Sequence, residues 1–154
     1  MTPTLLGRWQ TRLLLFVVIG LPVTALYVLY LNDWVWAPIN VPLEVPFLFI
    51  TAIVVLGLIA DIPYIQIQRF RWDNDWPFAF QFFFSILEFL AIFGLMRAGL
   101  LEPVLSATDI PEFSTAAVHF ALVFVPSFLA VLGGIQIFYI RWRFKGSELG
   151  RHRS

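Results

Sequence analysis

The chain has 154 residues, 60% of them hydrophobic and only 13% charged, with ten Lys/Arg balanced by ten Asp/Glu and no cysteine. A water-soluble domain carries about a quarter of its residues as charges, so the solvent implied by this composition is lipid. Zero net charge provides no basic field for nucleic acid, and without sulfur there are no disulfide frameworks, thiolate metal sites or iron–sulfur clusters.

A helix crossing the ~30 Å hydrocarbon core needs about 20 mostly apolar residues, and four segments meet that requirement. The first is residues 13–31, preceded by Arg8 and Arg12. Those arginines, the apolar run and Val23-Thr24-Ala25 have the outline of a secretory signal, but the run is long enough to span, and it is read as a span. A linker rich in Pro and Trp follows, with Trp34, Trp36, Pro38 and Pro42. The second span, residues 46–67, contains Asp61 and Tyr64 and ends in IQIQRFRW. Asp73-Asn74-Asp75 is too short for a calcium loop; Asp75 before Trp76 and Pro77 reads as a helix N-cap with Pro in the first turn.

The third span, residues 77–96, holds the run FFFSILEFLAIFGL with Glu88 in its middle. A charged group at that depth costs roughly 2.5 kcal/mol or more. At helical spacing Gln81, Ser85, Glu88 and Ala91 form one stripe, and phenylalanines occupy the remainder. Small and polar residues are the ones that face other helices in a membrane, which directs Glu88 inward. GLLEPVL after this span has the character of a short interfacial helix. The fourth span, residues 115–140, carries His119 near a small-residue seam, Pro126, and Gly133-Gly134 as a close-packing point, before a basic tail at residues 141–154. Its ending, IQIFYIRWRF, echoes the end of the second span. A parallel repeat would account for the echo, and so would the shared need for aromatics and arginines at one membrane face.

Nine of the ten cationic residues flank the same ends of the spans, and only Arg97 falls on the other side. Short cationic loops stay in the cytoplasm. The expected architecture is therefore an all-α, single-domain, polytopic membrane protein. Its four transmembrane helices form a bundle with N and C termini cytoplasmic, in a bacterial cytoplasmic (inner) membrane. Trp34, Trp36, Trp72, Trp76 and Trp142 lie at span ends as interfacial anchors.

Chemistry is sparse. Asp61, Glu88 and His119 fall at successive depths, Asp61 about a turn to one side of Glu88 and His119 about a turn to the other, with Tyr64, Ser85 and Gln81 as polar neighbours. Such a ladder fits a proton relay or cation site. It equally fits a neutral carboxyl hydrogen-bonded to Ser85, His119 or a carbonyl freed by Pro126, with Pro63 doing the same beside Asp61. A bundle haem generally wants two axial histidines and only His119 lies within a span, which leaves it as a candidate ligand for a pigment. Phosphate loops and hydrolase or zinc-protease motifs are absent.

Seventeen phenylalanines exceed what four helices need among themselves and point to lipid, to further subunits or a second copy, or to a quinone or pigment. The leading expectation is a small accessory subunit that packs against and stabilises a larger membrane complex without catalysis of its own. The alternatives are a proton- or cation-coupled transporter or channel protomer using Asp61, Glu88 and His119, and a membrane enzyme acting on lipid through a carboxyl group.

Overall fold

A computed structural model describes residues 4–33, 42, 44–70, 77–102, 110–138 and 148. All regular structure among the described residues is helical. Helix α1 (Leu5–Leu15) runs through a π-helical turn (Phe16–Gly20) into α2 (Leu21–Asp33). Then come α3 (Glu44–Phe70), α4 (Phe78–Arg97) and α5 (Phe113–Leu129), and α5 passes through a second π turn (Ala130–Gly134) into α6 (Ile135–Phe138). Four of the resulting rods, Leu5–Tyr30, Glu44–Phe70, Phe78–Arg97 and Phe113–Gly134, are long and apolar enough to cross a membrane. We refer to them as spans one to four.

The first helix begins at Leu5, well ahead of residue 13 where the apolar run starts. Thr4 is the reason: its hydroxyl caps the helix by accepting from the Gly7 N–H at 3.1 Å. Arg8 and Arg12 are consequently residues of the span itself, on one face four positions apart. The first π turn closes when the Leu21 N–H bonds to the Phe16 carbonyl. The next residue, Pro22, has no N–H to offer Val18, and an extra residue in the turn accommodates that break. Helices α3 and α5 continue through Pro63 and Pro126, as packed membrane helices do when neighbours re-satisfy the freed carbonyls. Helix α4 ends at Arg97, and Gly99, with φ of 71°, turns the chain so that Leu100 N–H reaches back to the Leu95 carbonyl at 3.0 Å and Gly99 N–H to that of Met96 at 3.0 Å.

Sequential spans run antiparallel. Arg8 meets Gln68 and Arg12 meets Asp61 between spans one and two, and Phe49 packs on Phe89 and Tyr64 on Phe84 between two and three. Phe82 and Phe89 pack on Phe128 and Phe120 between three and four. Span four closes the ring on span one through Thr24 and His119. Thr4 donates to Glu148 at 2.7 Å, so Glu148 lies at the end of the bundle where span one starts.

The core centres on Phe49, Ile53, Phe89, Ile92, Met96 and Phe120. Much of the phenylalanine excess is spent there: Phe89 stacks on Phe120 at 4.7 Å, Phe120 on Phe124 at 5.2 Å, and Phe93 meets Phe113 edge-on at 5.2 Å. The first two contacts are internal, whereas Phe113 is half exposed. Phe70, Phe82 and Phe83 lie on the outer surface, Phe70 91% exposed and Phe83 62%.

Candidate functional site

The densest chemistry lies where spans one, two and three meet. The Arg12 guanidinium presents one edge to Asp61, with Nε donating to Oδ2 at 3.3 Å and Nη2 to Oδ1 at 3.2 Å. Its other edge faces Glu88, with Nη1 donating to Oε2 at 2.8 Å and Nη2 to Oε1 at 3.2 Å. Only a planar guanidinium with its fixed donors can grip two carboxylates in this way. The Asp61 and Glu88 side chains are 2% and 3% exposed. Arg8 adds a second cation, its Nη1 at 3.5 Å from Asp61 Oδ1 and its Nη2 donating to Gln68 at 3.1 Å. Among the described residues the cluster thus contains two cations and two anions.

Local sequence builds this cluster piece by piece. The Thr4 cap sets the helix register that carries Arg8 and Arg12 inward. Gly57, one turn before Asp61 on α3, leaves the space that the guanidinium fills: a methyl group there would overlap the Arg12 head and come within 2.9 Å of Glu88 Oε2. Trp9 donates its indole N–H to the Leu58 carbonyl at 3.0 Å, tying α1 to α3 beside the cluster.

The charged cluster forms one wall of a cavity of about 180 Å³ between the four spans. That exceeds the ~150 Å³ apolar cavity known to suffice for benzene. Tyr64, Gln81, Ser85 and Ser127 add polar groups to the lining, while Phe120, Phe124 and Phe128 form an aromatic wall on α5. Phe16 and Gly20 of the first π turn and Val131 of the second also line it, in keeping with the frequent occurrence of π turns at functional sites.

The six polar residues singled out in the sequence divide between two places. Asp61, Glu88, Tyr64, Gln81 and Ser85 all border the cavity. Glu88 takes its hydrogen bonds from Arg12, whereas Ser85 donates to the Gln81 carbonyl at 2.8 Å. His119 belongs to a separate cluster. It is 2% exposed, its Nε2 shares a 3.0 Å hydrogen bond with the Thr24 hydroxyl, and its ring stacks on Tyr27 at 4.6 Å. Tyr27 in turn donates to the Thr115 carbonyl at 3.3 Å. Ala91, assigned to the stripe of Glu88, is exposed, and Phe89 is buried in its stead.

Sequence reasoning missed Arg8 and Arg12 as members of the site. Placing the arginines outside the first span hid them; the available signal was Thr4, a good N-cap, ahead of two arginines at i, i+4 spacing. Trp34, Trp36, Trp72, Trp76 and Trp142 lie outside the described residues, as does the segment GLLEPVL from Pro103 onward. Among the described residues no group of three or more His, Asp or Glu is placed to hold a metal ion. No protein-family model matches the chain, and neither a curated protein nor a solved structure does.

Proposed function

We propose that this protein is a multi-pass membrane protein that binds a small amphipathic molecule inside its helical bundle. The observation that carries the reading is the two-faced cavity. One wall holds the Arg12–Asp61–Glu88 cluster and the other holds Phe120, Phe124 and Phe128. Ligand sites are mostly apolar concavities with a few converging polar groups, and ionisable residues inside membrane spans mark function by default. A buried ion cluster adds little net stability compared with apolar packing, so its presence beside open space favours a binding role. The excess of cationic residues at one set of span ends favours cytoplasmic termini and a bacterial inner-membrane setting.

Assembly into a larger complex draws on surplus phenylalanine, of which Phe49, Phe89 and Phe120 pack within the bundle while Phe70, Phe83 and Phe113 are exposed. Proton or cation coupling drew on a single ladder of groups. Asp61 and Glu88 share Arg12, and His119 pairs with Thr24.

Native mass spectrometry of the protein purified in mild detergent tests the proposal, with the ultraviolet spectrum of the released ligand separating quinone-like from aliphatic molecules. A bound small molecule is expected on the wild type and is expected to be lost from Ser127→Phe, which fills the cavity without touching the ion cluster. A wild-type protein free of any ligand, in detergent and in nanodiscs made from native membranes, would sink the idea.

A further inference from the structure

Resting on that reading, we infer that the cavity selects an amphiphile whose head is uncharged and carries a hydroxyl or carbonyl oxygen, with its apolar chain laid along the aromatic wall of α5. The reason is charge balance. Among the described residues Arg8 and Arg12 offset Asp61 and Glu88 at formal charge zero, within contacts of 2.8–3.5 Å. Bringing a lone charge into a weakly polar interior is costly unless a counter-charge meets it. Here each charge is already committed, so an anionic or cationic head would arrive without a free counterion.

An uncharged oxygen needs only hydrogen bonds, and the site supplies them. Arg12 uses four of its five N–H groups in the bonds to Asp61 and Glu88 among the described residues. The fifth, on Nη1, has no acceptor among the described residues and would serve a hydroxyl or carbonyl oxygen that reaches it. Carboxylate oxygens have lone pairs beyond those facing Arg12, which accept from a hydroxyl. The Arg12 side chain, 24% exposed, is the least covered member of its two ion pairs. Beyond the head, Phe120, Phe124 and Phe128 follow one another at four-residue spacing, with ring centroids 5.2 and 5.5 Å apart. They form a surface about 12 Å long that suits a hydrocarbon or polyene chain and has no polar feature to demand more.

The proposal makes head-group selectivity a function of net site charge. Three photo-crosslinking probes with the same diazirine-bearing alkyl chain and a hydroxyl, sulfonate or trimethylammonium head are incubated with the protein in nanodiscs of zwitterionic lipid. Labelling is mapped to peptides by mass spectrometry. The wild type should label the α5 peptide containing Phe120 and Phe124 with the hydroxyl probe, at least roughly tenfold over either charged probe. Glu88→Gln leaves one cation in excess and should shift preference to the sulfonate. Arg12→Gln leaves one anion in excess and should shift it to the ammonium. The double substitution Arg12→Gln/Glu88→Gln restores zero charge and should restore the hydroxyl preference, which keeps the test decisive where a single variant is unstable. Hydroxyl labelling that does not respond to these substitutions, or a wild type that prefers a charged probe, would overturn the charge-balance inference while binding in the cavity stands. Failure of all three probes to label the cavity would overturn the binding reading itself.

Discussion

Arg12 is the residue on which the centre of the bundle depends. It offers both edges of its guanidinium to carboxylates from different spans, and each carboxylate is nearly inaccessible. Removing one partner from a buried ion pair leaves an uncompensated charge, which typically costs about 3–5 kcal/mol. Arg12→Met is therefore expected to destabilise the protein by about that amount, read as a shift in the unfolding midpoint in detergent. Adding Glu88→Gln to it, which leaves Arg8 paired with Asp61, should recover most of the loss. Arg12→Lys should fall between, because one ammonium cannot satisfy two forks. Gly57 gives an independent check. Gly57→Ala puts a methyl group into the Arg12 guanidinium, and overpacking of this kind costs about 1–3 kcal/mol. Gly94→Ala, with no atom within 4 Å of the added carbon, should be neutral or stabilise by up to about 1 kcal/mol, because alanine is the better helix former. Equal effects at the two glycines would show that the guanidinium does not occupy the space beside Gly57.

At the scale of the elements, helical periodicity was readable and helix ends were not. The stripe of Gln81, Ser85, Glu88 and Ala91 put Glu88 inward, which agrees with its burial. It put Ala91 inward as well, whereas α4 packs on α3 on one side and α5 on the other. Its buried face is therefore wider than one polar stripe and takes in Phe89, Ile92 and Met96. The start of span one eluded a hydropathy reading because α1 carries arginines that look like flanking charge, and only pairing across helices makes their burial tolerable. Spans one and four are held by a different device, the Thr24–His119 hydrogen bond and the Tyr27 stack. Thr24→Val removes the hydroxyl without changing shape and leaves a buried imidazole nitrogen unpaired. The expected loss is about 1–3 kcal/mol. A Thr24→Ser variant, which keeps the donor and acceptor, should lose less; a Thr24→Val protein as stable as wild type would remove this bond from the account of the bundle.

For the whole molecule, four antiparallel spans put the beginning of span one and Glu148 at one end and the turn at Gly99–Glu102 at the other. The chain has no cysteine, so each introduced thiol is a unique reporter. In sealed vesicles, a membrane-impermeant maleimide should label Thr4→Cys and Glu148→Cys from the same side and Glu102→Cys from the opposite side. Labelling of Thr4→Cys and Glu102→Cys from one side would contradict a four-span arrangement.

The amino-acid sequence by itself determined the helical class, the number of long apolar segments and the presence of ionisable groups within them. Those properties follow from composition and from the length of hydrocarbon a helix must cross, and both are local. Which groups meet was decided only by the tertiary structure. Arg12, Asp61 and Glu88 come from three helices and His119 and Thr24 from two, and pairing between helices depends on their rotation and relative height. A single helix at 3.6 residues per turn does not encode those quantities. The cavity has the same origin: the space left by Gly57, filled by Arg12 and bordered by Phe120, Phe124 and Phe128, exists only once four helices are set side by side.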